Sequence, residues 1–392
     1  MTTLLEMAQV LAPRLSAIRR EIHQHPELSF HEYRTAALVA ETLRSLGVPV
    51  DTGVGKTGVV GHLGETGPVI ALRADMDALP IQELNKVEYA SRVPGVMHAC
   101  GHDVHTTCLL GAAMLLRDLV LPGQVRLLFQ PSEEGMDKEG KSGAMRMVEE
   151  GACDGVSAVF GLHVHGSFPA GSVICADGAM AAAMDNFRAV ILGSGAHAAY
   201  AWEGVDAILL ASQVVTSLHT IVSRRISPVN GGVISVGIMQ GGSKENNLAE
   251  RVELRGTIRS LTPAVRETLF YELDRACQIS KVLGGDYELN IRRGYPPLIN
   301  DKTLTELVRR VALDTVGPDA VYERPPELGG EDFSFFLQQA PGCFFEVGVQ
   351  APGQPLRPLH SPHFDVDESV LPLGAAMLAG VARAYLGQVQ VP

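Results

Sequence analysis

The chain has 392 residues, 46% of them hydrophobic, and a formal net charge of −12 at pH 7. That length suits two domains with sizeable cores, and the acidic balance argues against nucleic acid or an anionic membrane surface as a partner. Six cysteines without a CxxC pair point to a reduced protein of the cytoplasm.

The N-terminal MTTLLEMAQVLAPRLSAIRR has no basic start followed by an apolar block, so no signal peptide is expected. Leu4, Leu5, Ala8, Leu11, Leu15, Ile18 and Ile22 recur at helical spacing. A second helix is predicted from about Glu32 to Leu46, stopped by Gly47. Gly53-Val54-Gly55-Lys56-Thr57 contains the GKT of a phosphate loop, but the pattern needs glycine where Val50 stands, so it reads as a turn entering a strand. Strands are predicted at 58–63 and 69–73, a helix at 104–119, a strand at 125–129, a helix at 142–150 and a strand at 157–163. This alternation favours a mixed, mostly parallel sheet covered by helices, with ligands gathering at the carboxyl ends of strands.

The rhythm changes at Met184. A strand at 187–192, a helix at 205–223, strands at 232–240 and 251–260, a helix at 263–283 and a strand at 286–293 give the order βαββαβ, a ferredoxin-like sandwich. The uncharged stretch from Val370 to Ala382 is too short to span a bilayer and reads as a buried core helix within a last helix at about 366–387. The expected α/β layout is a larger domain at 1–183 and 295–392 with the smaller one, 184–294, inserted.

Chemistry-bearing residues cluster around the predicted strand ends. Met97-His98-Ala99-Cys100-Gly101-His102-Asp103-Val104-His105 packs three histidines, a cysteine and an aspartate into a helix entrance. Thiolate, imidazole and carboxylate together suit a zinc-like divalent ion. Glu133-Glu134 follows the strand VRLLF, so one carboxylate can bind metal while the other holds a proton taken from water. His163 and His165 follow AVFGL and, two apart in extended chain, share a face; His163 is preferred as closer to the strand end. His360 lies in a Pro-flanked loop with His363 as the alternative. Asp75 and Asp77 follow an apolar strand and suit either orientation of ligand histidines or plain helix capping. His197, in Gly193-Ser194-Gly195-Ala196-His197, has an imidazole suited to a developing oxyanion, or is simply a loop histidine.

With these residues assembled, the chain resembles the hippurate hydrolase and N-acyl-amino-acid amidohydrolase branch of the aminoacylase/carboxypeptidase metallopeptidases, which includes the auxin-conjugate hydrolases. The matching motifs run from Arg20-Glu21-Ile22-His23-Gln24-His25-Pro26-Glu27-Leu28 and Arg73–Pro80 through Met97–His105, Gln130–Gly135, Gly161-Leu162-His163 and Gly195–Ala199 to Gly330-Glu331-Asp332-Phe333-Ser334 and Leu359-His360-Ser361-Pro362. The resemblance implies a zinc-peptidase-like catalytic domain with two divalent ions per subunit (Zn, Mn, Ni or Co). It implies metal ligands at Cys100, His102, Glu134, His163 and His360. It makes Glu133 the general base and Asp77 an orienting carboxylate. It makes the inserted domain a lid and dimerisation domain whose His197 and Asn246 meet substrate or its oxyanion, and it adds Gly330, outside that domain, to the substrate-binding residues. The family's usual Pro-His pair is replaced by Ala201-Trp202, which makes Trp202 the candidate for acyl-group preference. The apolar helix over 207–222, in a small domain expected to have little core of its own, adds to the expectation of a homodimer or higher oligomer. The expected activity is metal-dependent hydrolysis of N-acyl amino acids, with dipeptidase or carboxypeptidase action as the alternative and a non-catalytic binding protein as the remote one.

Overall fold

The computed structural model describes residues 2–388. Along the chain the elements run α1 (Leu4–Gln24), α2 (Tyr33–Ser45), β1 (Val50–Val54), β2 (Gly58–Leu63), β3 (Val69–Asp75), α3 (His102–Leu116), β4 (Gln124–Gln130), α4 (Gly143–Glu149), β5 (Val156–Pro169), β6 (Val173–Ile174) and β7 (Gly178–Ala181). They continue with β8 (Ala183–Leu192), α5 (Ala207–Arg225), β9 (Gly232–Gly241), β10 (Arg251–Ser260), α6 (Pro263–Cys277), α7 (Ile279–Val282), β11 (Asp286–Tyr295) and β12 (Leu298–Asn300). The last are α8 (Lys302–Val316), β13 (Val321–Tyr322), α9 (Ser334–Leu337), β14 (Gly342–Gln350) and α10 (Leu371–Gln388). Two compact units result: one from residues up to Gly178, Asn300–Pro325 and the chain from Phe335 onward, the other from Ala179–Ile299 and Pro326–Ser334.

The first unit is built on an eight-stranded sheet in the order β1-β2-β4-β3-β5-β14-β6-β13. Its centre, β4-β3-β5-β14, is parallel throughout, and antiparallel pairs join β1 to β2, β2 to β4 and β14 to β6. The GKT sequence is the turn between β1 and β2, an antiparallel hairpin. Register brings the strand ends level. Asp75 pairs with Gln130, so the segments holding Asp77 and Glu133-Glu134 leave neighbouring strands at the same edge. Arg73 pairs with Gly161, which puts His163 level with Asp75. β5 does not stop at His163 as predicted but runs on to Pro169, because β14 pairs with it beyond that point.

Every residue of α3 is buried, since the helix lies among α1, α10 and the central strands. Close approach to α10 requires glycine at position 111, where a Cβ would come within 2.7 Å of the Ala375 methyl. α10 is buried from Leu371 to Ala382, as the apolar stretch predicts.

The second unit carries a four-stranded antiparallel sheet in the order β11-β8-β10-β9. With α5 and α6 between its strands, this is the βαββαβ ferredoxin-like arrangement. The unit has a core of its own, correcting the expectation that it has little: Phe187 and Ile191 of β8 pack with Leu210, Val214, Leu218 and Ile221 of α5, Leu254 and Ile258 of β10, and Leu269 and Leu273 of α6. Buried Asp185 ties the layers, accepting from Arg266 at 2.5 and 2.9 Å and from the Gly294 N–H at 2.9 Å. β7 and β12 form a separate two-stranded sheet.

Candidate metal centre

Cys100 and His102 are placed by a turn that only glycine fits. Gly101, before the first residue of α3, has φ +89°, and a Cβ there would meet a Val164 methyl at 2.4 Å. The turn leaves Cys100 Sγ 3.6 Å from His163 Nε2. His102 is fixed from behind, its Nδ1–H donating to the Asp77 carbonyl at 2.8 Å and lying 3.2 Å from Asp77 Oδ1. Since a carbonyl can only accept, Nδ1 carries a proton, and in the neutral ring, the form that binds metal, Nε2 carries the lone pair. That Nε2 is buried with no hydrogen-bond partner among the described residues.

Asp77 also holds the carboxylate pair in place. Its Oδ1 accepts the Glu133 N–H and its Oδ2 the Glu134 N–H, each at 3.0 Å, while Ser29 Oγ donates to Oδ2 at 2.7 Å. Burial opposes ionisation of Asp77, but the hydrogen bonds from His102, Ser29 and the Glu133 backbone outweigh it and hold its pKa below the usual carboxylate value. His360 arrives from the last loop with φ +59°, its N–H bonded to the Ala99 carbonyl at 2.8 Å. Its Nε2 lies 3.1 Å from Glu134 Oε1.

Donor atoms of Cys100, His102 and His163 lie within 4.8 Å of one another, and the same holds for Cys100, Glu134 and His360 and for His102, Glu133 and Glu134. Six residues from four chain segments thus converge, and among them are all five predicted ligands and the predicted base. His165 is not in these groups; its Nδ1 accepts the Ser167 N–H and its ring sits edge-on to Phe168. His363 is exposed.

The donor set fits a divalent cation. It mixes sulfur, imidazole and carboxylate, as borderline-soft metals prefer, and it strongly favours positive charge. Hydrogen bonds to Cys100 and Glu134 push the His360 imidazole up to about 10 against a smaller burial cost. Burial of His102 is likewise overridden by the charges of Asp75 and Cys100 and the bond to Asp77, so its pKa is raised well above normal. Asp75, His102 and His105 also approach within 4.8 Å, but both His105 nitrogens are engaged. Nδ1 meets Asp75 Oδ1 at 2.6 Å and Nε2 accepts the Val164 N–H at 2.9 Å.

Residues that the sequence reading passed over surround this centre. Arg73, fully buried, donates to Gln130 at 2.6 Å and to Asp75 at 2.7 Å. Asp103 is more than a helix-entrance acid: its Oδ2 meets Arg19 Nε at 2.7 Å and His23 Nδ1 at 2.8 Å. The motif Arg20–Leu28 contains His23, which was a signal for this network; Arg19 stands just outside it.

In the second unit, His197 and Asn246 are neighbours through the Ala198 N–H, which bonds the Asn246 carbonyl at 2.9 Å. His197 Nδ1 accepts the Ala199 N–H at 3.1 Å, which leaves Nε2–H as the donor of the neutral ring. Trp202 is 77% exposed, with Tyr200 edge-on at 5.5 Å and the His197 ring 5.7 Å beyond Tyr200. Gly330 sits beside Met184 and Tyr295.

Residues 71–384 match the model of peptidase family M20/M25/M40. An IAA-amino acid hydrolase of Arabidopsis thaliana (ILR1-like 4) is 41% identical, the alignment covering 94% of this chain and 85% of the relative. N-acetyl-L-cysteine deacetylase of Bacillus subtilis is 40% identical over 96% of this chain and 89% of its own. Among solved structures, Bacillus subtilis YXEP, described as a dinuclear metal-binding peptidase from the M20 family, superposes with a TM-score of 0.84 at 33% identity, covering 97% of this chain and all of that one.

Proposed function

The chain belongs to peptidase family M20/M25/M40 and is a metal-dependent amide hydrolase; from that premise we propose that its substrates are N-acyl amino acids, cleaved to a carboxylate and a free amino acid. The observation that carries the reading is the convergence of Cys100, His102, Glu134, His163 and His360, with Glu133 grouped with His102 and Glu134. Two relatives named for hydrolysing an acyl–amino acid bond or an N-acetyl group support the substrate class.

Cys100, His102, Glu134, His163 and His360 would hold two divalent ions, with Zn, Mn, Ni and Co all compatible with such ligands. Bound metal supplies Lewis-acid activation of the attacking water and of the amide carbonyl. Glu133 takes the proton of that water and delivers it to the leaving amine. Asp77 fixes the direction of Glu133 through its backbone N–H and that of His102 through Nδ1. The same proposal assigns His197 the role of oxyanion donor, Asn246 and Gly330 substrate contact and Trp202 the acyl-group preference, on the family resemblance alone.

The same reading makes the protein a cytoplasmic homodimer formed through the second unit. Its six cysteines are free and buried, as suits a reducing compartment. β9 ends the sheet of that unit and exposes Ile238 and Met239, an edge that natural proteins cover or pair.

The test is amine release by metal-reconstituted protein from N-acetyl, N-benzoyl and indole-acetyl amino acids beside dipeptides and C-terminally extended peptides. Turnover of the peptides with none of the acylated amino acids would replace this reading with a peptidase.

A further inference from the structure

Behind the turn that carries Glu133 and Glu134 lies a carboxylate that the proposed chemistry does not use. Glu32 is fully buried. It occupies the position just before α2, where Ser, Thr, Asp or Asn ordinarily caps the helix, and it makes no capping bond. Instead its Oε1 accepts two backbone N–H groups, from Phe30 at 2.8 Å and from Ser132 at 2.9 Å. Both donors are non-glycine residues with left-handed backbone, φ +60° at Phe30 and +46° at Ser132. Thr57 Oγ1 donates to the other oxygen.

Left-handed conformations of such residues cost about 1–3 kcal/mol each and persist only where the surroundings hold them. Here the holding is shared. The N–H groups of Ser132, Glu133 and Glu134, three in succession, are taken by Glu32 Oε1, Asp77 Oδ1 and Asp77 Oδ2. The Ser132 carbonyl is taken by the Gly143 N–H at 2.9 Å. Rotating Ser132 out of its left-handed state would re-aim both following side chains, because each inherits its direction from the backbone before it.

We infer that Glu32 is a positioning residue for hydrolysis: with Asp77 it forms a two-carboxylate cradle that keeps the Ser132 turn strained and so sets Glu133 toward the attacking water and Glu134 toward metal. This rests on the reading of Glu133 as the proton carrier. Displacing a reacting group by about 1 Å can cost on the order of 10²-fold in rate, so loss of the cradle should appear in kcat before it appears in KM.

Two variants separate reach from charge. Glu32→Asp keeps the charge and shortens the side chain, withdrawing the oxygen from Ser132. Glu32→Gln keeps the reach and an acceptor oxygen while removing the charge. The readouts on the metal-loaded protein are metal content, kcat and KM on an N-acyl amino acid, and amide exchange of the peptide spanning residues 131–135. Glu32→Asp should retain its metal, lose about 10–100-fold in kcat with KM within about three-fold, and exchange the turn amides about ten-fold faster while β4 stays protected. Glu32→Gln should remain within about three-fold of the parent in kcat. Unchanged exchange of the turn or full turnover in Glu32→Asp would overturn the inference, and so would equal losses in both variants tracking their melting temperatures. If the parent releases no amine from any acylated amino acid, the functional reading fails; the exchange result still decides whether Glu32 holds the turn.

Discussion

His105 and Val164 are joined by a 2.9 Å hydrogen bond in which the backbone N–H of the strand residue donates to Nε2 of the helix residue. The other ring nitrogen meets Asp75, and Asp75 is held by Arg73. Burial pushes the His105 imidazole down to about 3 although Asp75 pulls the other way, so the ring is neutral. It anchors the strand next to His163, a candidate ligand, through groups that are all buried. His105→Ala should leave the Val164 N–H and Asp75 Oδ1 without their partner, at a cost of about 1–3 kcal/mol per orphaned group. Metal affinity should fall about 10–100-fold with stoichiometry unchanged. Denaturant unfolding and metal titration of the variant check both. Complete loss of one metal equivalent would instead make His105 a ligand.

Glu133→Gln and Glu134→Gln should part company although the residues are adjacent. The first removes the proton carrier and should retain metal while losing about 10²–10⁴-fold in turnover. The second removes a predicted ligand and should show reduced metal content, with activity partly restored by excess metal. Elemental analysis beside kcat decides the assignment, and the reverse pattern would exchange the two roles. Exhaustive chelation of the parent should abolish turnover, and readdition of metal should restore it.

Part of the candidate site was legible because Glu133-Glu134 and His163 follow strand-like runs and Cys100 and His102 crowd a helix entrance. Residue type and neighbours marked Cys100, His102, the Glu133-Glu134 pair and the histidines near 163 and 360 as candidates, but which of them are ligands and which the base came only from the family resemblance. The choice between His163 and His165 could not come from spacing, since both lie on one face of β5; the structure separates them by which loops approach that face. Glu32 was invisible for another reason. Its partner Ser132 is 100 residues away, and locally Glu32 reads only as the first residue of the predicted helix at 32–46. The core of the second unit was underread because α5 buries only one stripe: Ala207, Leu210, Ala211, Val214, Leu218 and Ile221. The sheet that covers this stripe is assembled from strands on both sides of it in the sequence.

In the metal-free protein the contribution of Glu32 to stability should fall as pH rises from about 4.5 to 7. Burial, then the nearby Asp77 charge, push its carboxyl up to about 7 in the folded state, above its ordinary 4.5. A group whose folded pKa is raised contributes stability that is fully present below the unfolded pKa and disappears as pH climbs through the folded one. At 1.36 kcal/mol per unit, the difference is on the order of 3 kcal/mol. Glu32→Gln has no such proton to lose, so it should gain on the parent by up to that amount between pH 4.5 and 8. Chemical denaturation of both proteins across that range tests it; a constant difference would show that Glu32 titrates normally.

If β9 is the dimer edge, a charge on it should separate the subunits. Ile238 is 49% exposed on that strand, so Ile238→Lys costs the isolated unit little, whereas a lysine on an edge strand opposes pairing with another edge. Sedimentation at micromolar concentration should show a dimer for the parent and a lighter species for the variant, with similar melting temperatures. A parent that sediments as a monomer would remove the proposal of a dimer.

Trp202 should set acyl preference without supporting the fold. Its side chain is 77% exposed and stands edge-on to Tyr200, itself 51% exposed. Packing in the core of the second unit is therefore excluded, and Trp202→Ala should leave the melting temperature and metal content unchanged. An exposed indole beside the segment that carries His197 offers a flat apolar surface to an aromatic acyl group. A well-fitted pocket contact of that kind is worth about 1–3 kcal/mol, or roughly 5–150-fold in relative efficiency. The measurement is the ratio of kcat/KM for N-benzoyl and N-acetyl forms of one amino acid in the two proteins. The ratio should drop in the variant because the small acetyl group has little surface to lose. Equal reductions for both substrates would mean that Trp202 acts on His197 or the loop as a whole, and an unchanged ratio at full activity would place the acyl-group determinant elsewhere.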